Sequence, residues 1–358
     1  VSGLVVGAPQ DVPGVDAPAP VRPWHRGAAT GIGSLPGTSS DEAASMVAGE
    51  LPELPHLAEL PARGVGADLI GRTAGLLVDI AAEVVPSGWR VTRRPGRDLR
   101  RATDLMAWDL DAVQQHYAGA SWVKVQVCGP WTLAAMLELP DGNRMLIDQG
   151  AVDDLAASLA EGVAAHVAEV SARVPGAGVV VQFDEPALPG VLAARIPTAS
   201  GFGTLRSVGS ERAQSVLAAA RAGVADRPTL AHCCAADSPV RLLRSVGFDA
   251  VALDLTIIGS SAARLDPIGE LIEDGGVLVA GIVPVTAPAP GRTPTLRQAV
   301  DPLLAVWDRL GFSRERLPDS VVPAPTCGLA GATPAWATAA MKRAQELARA
   351  LSDPPAGW

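Results

Sequence analysis

The chain has 358 residues, 48% of them hydrophobic and 19% charged, which is enough to bury a large core and excludes disorder or a coiled coil as the whole answer. Its formal charge of −9, from 38 acidic against 29 basic residues, argues against a nucleic-acid surface. No apolar run approaches the roughly 18 residues of a membrane span, and no basic segment leads into a compact apolar stretch at the start, so the expectation is an unexported, cytoplasmic protein.

Residues 1–22, crowded with Pro, Gly, Ala and Val and lacking periodicity, read as a flexible arm ahead of one domain over 23–358. Eight β-rich apolar runs then recur, at 28–33, 88–92, 122–127, 178–183, 228–232, 250–255, 276–282 and 320–326. Most are continuously apolar, as strands covered on both faces tend to be. Helical spacing over 152–174, 210–225, 239–246, 263–273 and 295–310 separates the later runs. This alternation predicts an α/β fold, a single-domain (β/α)8 TIM barrel with a long insertion at 38–87 after the first strand. A doubly wound sheet is the rival. Its dinucleotide fingerprint is missing, because Gly31-Ile32-Gly33-Ser34-Leu35-Pro36-Gly37 places a proline where a helix must continue.

Catalytic groups of such barrels sit at the C-terminal ends of the strands. Here the runs end in Ser34, in Asp184-Glu185, in His232-Cys233-Cys234, in Asp254 and in Cys327. His232 and Cys234, two apart on an extended strand end, point the same way; Cys327 adds a second thiolate and Asp254 a carboxylate. Such a soft donor set suits Zn2+ rather than magnesium or calcium. A lone cysteine or histidine is more often buried packing, and Cys128 and Cys233 read that way; three soft ligands ending separate runs favour a metal. Four cysteines are too sparse for a disulfide scaffold. The one basic cluster, Arg90, Arg93, Arg94, Arg97, Arg100 and Arg101, reads as a solvated face.

The string Val181-Gln182-Phe183-Asp184-Glu185-Pro186-Ala187-Leu188, then His232-Cys233-Cys234, then Pro325-Thr326-Cys327-Gly328-Leu329 resembles the C-terminal barrel of cobalamin-independent methionine synthase. Thr30-Gly31-Ile32-Gly33-Ser34-Leu35-Pro36 and Cys128-Gly129-Pro130-Trp131-Thr132 resemble further segments of that family, in the same order. The resemblance implies a zinc-dependent methyltransferase making methionine, with His232, Cys234, Asp254 and Cys327 on the metal. By the same similarity, Ile32, Gly33 and Ser34 would bind the carboxylate of homocysteine and Asp184 its ammonium.

The chain departs from the family at several positions. The family's zinc carboxylate is a glutamate, where Asp254 stands here. Positions that grip a polyglutamylated methyl-folate read Met136 and Gly190, and Thr286 replaces a histidine thought to protonate the departing folate. Thiol activation without these parts implies a donor other than free methyl-folate, such as a methylated corrinoid protein, as in a short single-barrel form of the family. Two alternatives remain open: a zinc-free decarboxylase of the uroporphyrinogen type, and a non-catalytic zinc- and amino-acid-binding barrel.

Overall fold

Apolar side chains on both faces of a set of parallel runs build the centre of the molecule. The computed structural model describes residues 23–289 and 291–354; the expected arm at 1–22 lies outside them. In chain order the strands are β1 (Ala81–Val85), β2 (Gly88–Thr92), β3 (Trp122–Cys128), β4 (Leu137–Glu138), β5 (Gly178–Asp184), β6 (Thr229–His232), β7 (Ala250–Asp254), β8 (Val277–Val283) and β9 (Val321–Pro325). Six of them form one curled parallel sheet in the order β3-β5-β6-β7-β8-β9. Helices cross between consecutive strands, among them Gln149–Arg173, Ser210–Arg221, Val240–Val246, Ala262–Glu273 and Leu296–Leu310, within a few residues of the expected spans. The fold is α/β and barrel-like. No helix among the described residues is long and apolar enough to cross a membrane.

Alternation along the strands sorts side chains into two layers. One face, with Val123, Val125, Val179, Val181, Phe183, Val251, Leu253 and Leu278, packs outward on the helices. The other, with Val180, Leu230, Ala250, Ala252, Val279, Val322 and Ala324, fills the inside of the curl together with Trp24 and Ile32. Toward the C-terminal strand ends this inner face turns polar, presenting Lys124, Gln126, Gln182, Asp184 and His232, all buried. Buried polar groups at this end and hydrocarbon at the other mark where chemistry is located.

Two of the eight expected strands are corrected. The run at 88–92 is β2, which pairs antiparallel with β1 and parallel with the short β4 in a separate three-stranded sheet. Its place beside β3 is taken by 55–59, inside the expected insertion: Lys124 N donates to Pro55 O (2.8 Å) and Leu57 N to Lys124 O (2.8 Å). The run at 28–33 is extended but forms no continuous ladder. Thr30 N reaches Pro323 O (3.3 Å), Leu35 N reaches Glu59 O (2.8 Å), and Glu59 N reaches Gly33 O (3.1 Å). The physical reason is composition. Proline lacks an N–H, and Pro52, Pro55, Pro61, Pro323 and Pro325 stand in or beside these segments. Close contact adds a second constraint, since a Cβ on Gly31 would lie 2.2 Å from the buried His56 ring.

Candidate metal centre

The parallel register of β5 on β6 sets Asp184 beside His232. His232 Nδ1 meets Asp184 Oδ1 at 2.6 Å, and its Nε2 is buried without a hydrogen-bond partner. Two residues on, beyond the end of β6, comes Cys234; from beyond β9 comes Cys327, with its Sγ 3.5 Å from that of Cys234. The ligating atoms of His232, Cys234 and Cys327 all lie within 4.8 Å of one another. Neither sulfur is in a disulfide. Cys128 and Cys233 are fully buried, Cys128 within the apolar core.

The electrostatics of this cluster suit a cation. Contact with the Cys234 sulfur and then with the His232 ring draws the Cys327 thiol down to about 4, against the opposing effect of burial. Cys234, sharing that contact, is pushed up. Burial alone would lower His232, but Asp184 and the Cys327 sulfur carry it up to about 9. The two sulfurs thus lie beside an imidazole whose other nitrogen is held by a carboxylate. Carboxylate–histidine pairs of this kind orient metal-binding imidazoles, and the orphaned Nε2 with two adjacent sulfurs is a donor set that fits zinc.

Asp254 stands outside this cluster. It ends β7 as expected, but its Oδ1 accepts from Thr256 N (2.9 Å) and Thr256 Oγ1 (2.6 Å), so the carboxylate caps its own turn.

A cavity of about 250 Å3 opens onto the three ligands, lined also by Ile32, Ser34, Glu59, Asp184 and Gly328. The 32–34 loop is held from two sides: Leu329 N donates to Ser34 O (2.7 Å), and the Glu59 backbone bonds to Gly33 and Leu35. A Cβ on Gly328 would sit 2.1 Å from Ser34 Oγ, so only glycine leaves that hydroxyl where it is. Asp184 Oδ1 is taken by His232 and by Gln182 Nε2 (2.7 Å), and Oδ2 has no protein donor among the described residues.

Glu59 was not among the residues singled out from sequence. It lies in a Leu-Pro-rich passage with no motif of its own, and only the fold brings it to the cavity. Burial raises its carboxyl to about 7, partly opposed by Arg72, whose Nε lies 3.9 Å away. Arg72 is in turn held by Asp109 at 2.6 Å, and Asp109 also takes both terminal nitrogens of Arg63 at 2.8 Å. The arginine cluster lies outside the cavity. Arg90 pairs with Glu138 (2.7 Å), Arg101 donates to Val65 O and Arg63 O, and Arg93, Arg94, Arg97 and Arg100 are exposed.

Comparison with solved structures supports the fold. A B12-independent methionine synthase from Shewanella sp. W3-18-1, in complex with selenomethionine, aligns with a TM-score of 0.57 at 14% identity, covering 92% of this chain and 98% of that one. GH5_18 from Streptomyces cattleya in complex with GlcNAc aligns at 0.45 with 13% identity, covering 92% of this chain and 82% of that one, too loosely to carry an argument. No curated protein sequence matches. At the level of protein families, however, the model described as the cobalamin-independent synthase catalytic domain matches residues 28–350, a span that contains the whole cavity and all three clustered ligands. The chain therefore belongs to the cobalamin-independent synthase family, of which it carries the catalytic domain.

Proposed function

We propose that the chain is a zinc-dependent S-methyltransferase that methylates the thiol of homocysteine to give methionine. The observation that carries this reading is the convergence of His232 Nε2, Cys234 Sγ and Cys327 Sγ, from two strand ends 93 residues apart in sequence, at the floor of an amino-acid-sized cavity. His232, Cys234 and Cys327 would hold a zinc ion, and Asp254 could join them only by leaving Thr256. A zinc ion there supplies the Lewis acidity that keeps a substrate thiol, with a free pKa near 8.5, ionised at neutral pH.

The chain's own residues handle the rest of the substrate. Amides of the Ile32-Gly33-Ser34 loop and the Ser34 hydroxyl receive the α-carboxylate, while Asp184 and Glu59 line the same cavity and receive the ammonium. In the same reading, segments 30–34 and 55–59 are the first two staves of an eight-stranded (β/α)8 barrel within one domain over 23–358. A reduced cysteine pair 3.5 Å apart suits a reducing, cytoplasmic compartment.

The methyl donor in this reading is not free methyl-folate. Met136 and Thr286 are exposed, and Gly190 offers no side chain with which to grip one. A methylated corrinoid protein is the donor to test first. The experiment is methyl transfer to homocysteine by zinc-loaded protein, with methyl-folate and methylcobalamin as alternative donors. Methionine formation is expected with methylcobalamin and is abolished in Cys327→Ala. Brisk turnover with methyl-folate alone overturns the donor reading, and full activity of zinc-free protein overturns the metal centre.

A further inference from the structure

The inner face of the barrel holds a hydrogen-bonded chain of side chains that the proposed chemistry does not use directly. Lys124 and Gln182 are both fully buried. Lys124 Nζ donates to Gln182 Oε1 at 2.6 Å. Gln182 Nε2 donates to Asp184 Oδ1 (2.7 Å) and to Ile32 O (2.8 Å). Asp184 Oδ1 in turn holds His232 Nδ1. A carboxamide can be turned over, exchanging its oxygen and nitrogen. Lys124 Nζ also reaches Ile32 O at 3.3 Å. With the lysine at the amide oxygen and the carboxylate and carbonyl at its nitrogen, only one orientation of Gln182 satisfies all three neighbours.

We propose that Lys124, acting through Gln182, is a positioning residue that locks the metal-binding imidazole of His232 and the amino-acid loop at Ile32 into one arrangement. This rests on the metal centre proposed above. Remove the lysine donor and the amide is free to present its oxygen to Asp184, two acceptors facing each other among buried side chains. Asp184 then shifts, and the direction of His232 Nε2 shifts with it. Partners of this outer kind are worth about 10- to 100-fold in metal affinity where they have been removed.

Gln126 is the control. Its Nε2 also donates to Ile32 O (3.2 Å), but its second bond goes to Leu57 O (3.2 Å) and not toward Asp184. A buried amide in the same polar layer is thus present without the link to His232.

The test is zinc affinity of the purified full chain by chelator competition, with circular dichroism to establish that each variant is folded. Lys124→Met and Gln182→Met are each expected to weaken binding about tenfold or more, and the double variant to lose no more than the weaker single. Gln126→Met is expected to stay within about twofold of wild type, because its bonds bypass Asp184. If Lys124→Met does not fold, Gln182→Met breaks the same chain and decides alone. Wild-type affinity in folded Lys124→Met or Gln182→Met overturns the proposal, as does an equal loss in Gln126→Met or a double loss equal to the sum of the singles. A wild-type chain that binds no zinc overturns the metal centre itself, and this inference with it.

Discussion

Buried titratable side chains show how far single residues are bent from their ordinary behaviour by the fold. His166 is enclosed in the helix Gln149–Arg173, and its Nε2 has no hydrogen-bond partner. Burial, and then the charge of Arg72, lowers it from 6.5 to about 4. Below pH 6.5 the unfolded chain therefore takes up a proton that the folded chain refuses, and stability falls as pH drops toward 4. Glu59 and Glu185, raised to about 7 chiefly by burial, bind protons in the folded state over much of the same range and act in the opposite direction. The His166 contribution is consequently read as a difference. Relative to His166→Leu, the wild type is expected to lose about 3 kcal/mol between pH 7 and pH 4 in urea unfolding. A difference independent of pH would show that the folded protein protonates this imidazole as readily as the unfolded chain does.

Between elements, one carboxylate joins the end of β5 to the start of the helix that follows the neighbouring strand β3. Glu185, fully buried, accepts from Trp131 N (2.9 Å), Thr132 N (2.8 Å) and Thr132 Oγ1 (2.7 Å) at the N-terminus of the helix Pro130–Met136. The first amides of a helix have no partner within it, and a carboxylate there both satisfies them and meets the positive end of the dipole. The neighbouring Asp184 belongs to the cavity, so the Asp-Glu pair divides into one residue for the site and one for the scaffold that carries it. Glu185→Ala leaves two buried amides unsatisfied and is expected to cost about 3 kcal/mol in urea unfolding, with Glu185→Gln costing less because one acceptor oxygen remains. Equal stability of the alanine variant would mean that water replaces the carboxylate.

At the scale of the molecule, a metal bound only by the folded chain stabilises the whole fold. The ligands come from the end of β6 and from beyond β9, so an ion among them would tie together strands that β7 and β8 separate in the sheet. Free zinc at 100 times its dissociation constant is expected to add about 2.7 kcal/mol to the unfolding free energy. Melting temperature should fall on chelation, recover on adding zinc, and be indifferent to both in Cys327→Ala. A melting temperature insensitive to chelator in the wild type would contradict a site assembled by the fold.

The order of apolar runs was enough to identify six parallel strands, most of their helices and the polar residues that end them, because strand and helix periodicity and C-terminal strand-end polarity are local properties of a chain. The motifs around Asp184, His232 and Cys327 likewise carried the family. The pairing of the segments around Thr30 and His56 beside the sheet was not legible, since they are broken by glycine and proline and are held by isolated bridges rather than by their own propensity. Nor were Glu59 in the cavity, Asp254 turned away to Thr256, and Lys124 linked to His232 through two intervening side chains. Each depends on where a side chain stands in space after non-adjacent strands have been brought into register, and that is decided only by tertiary packing.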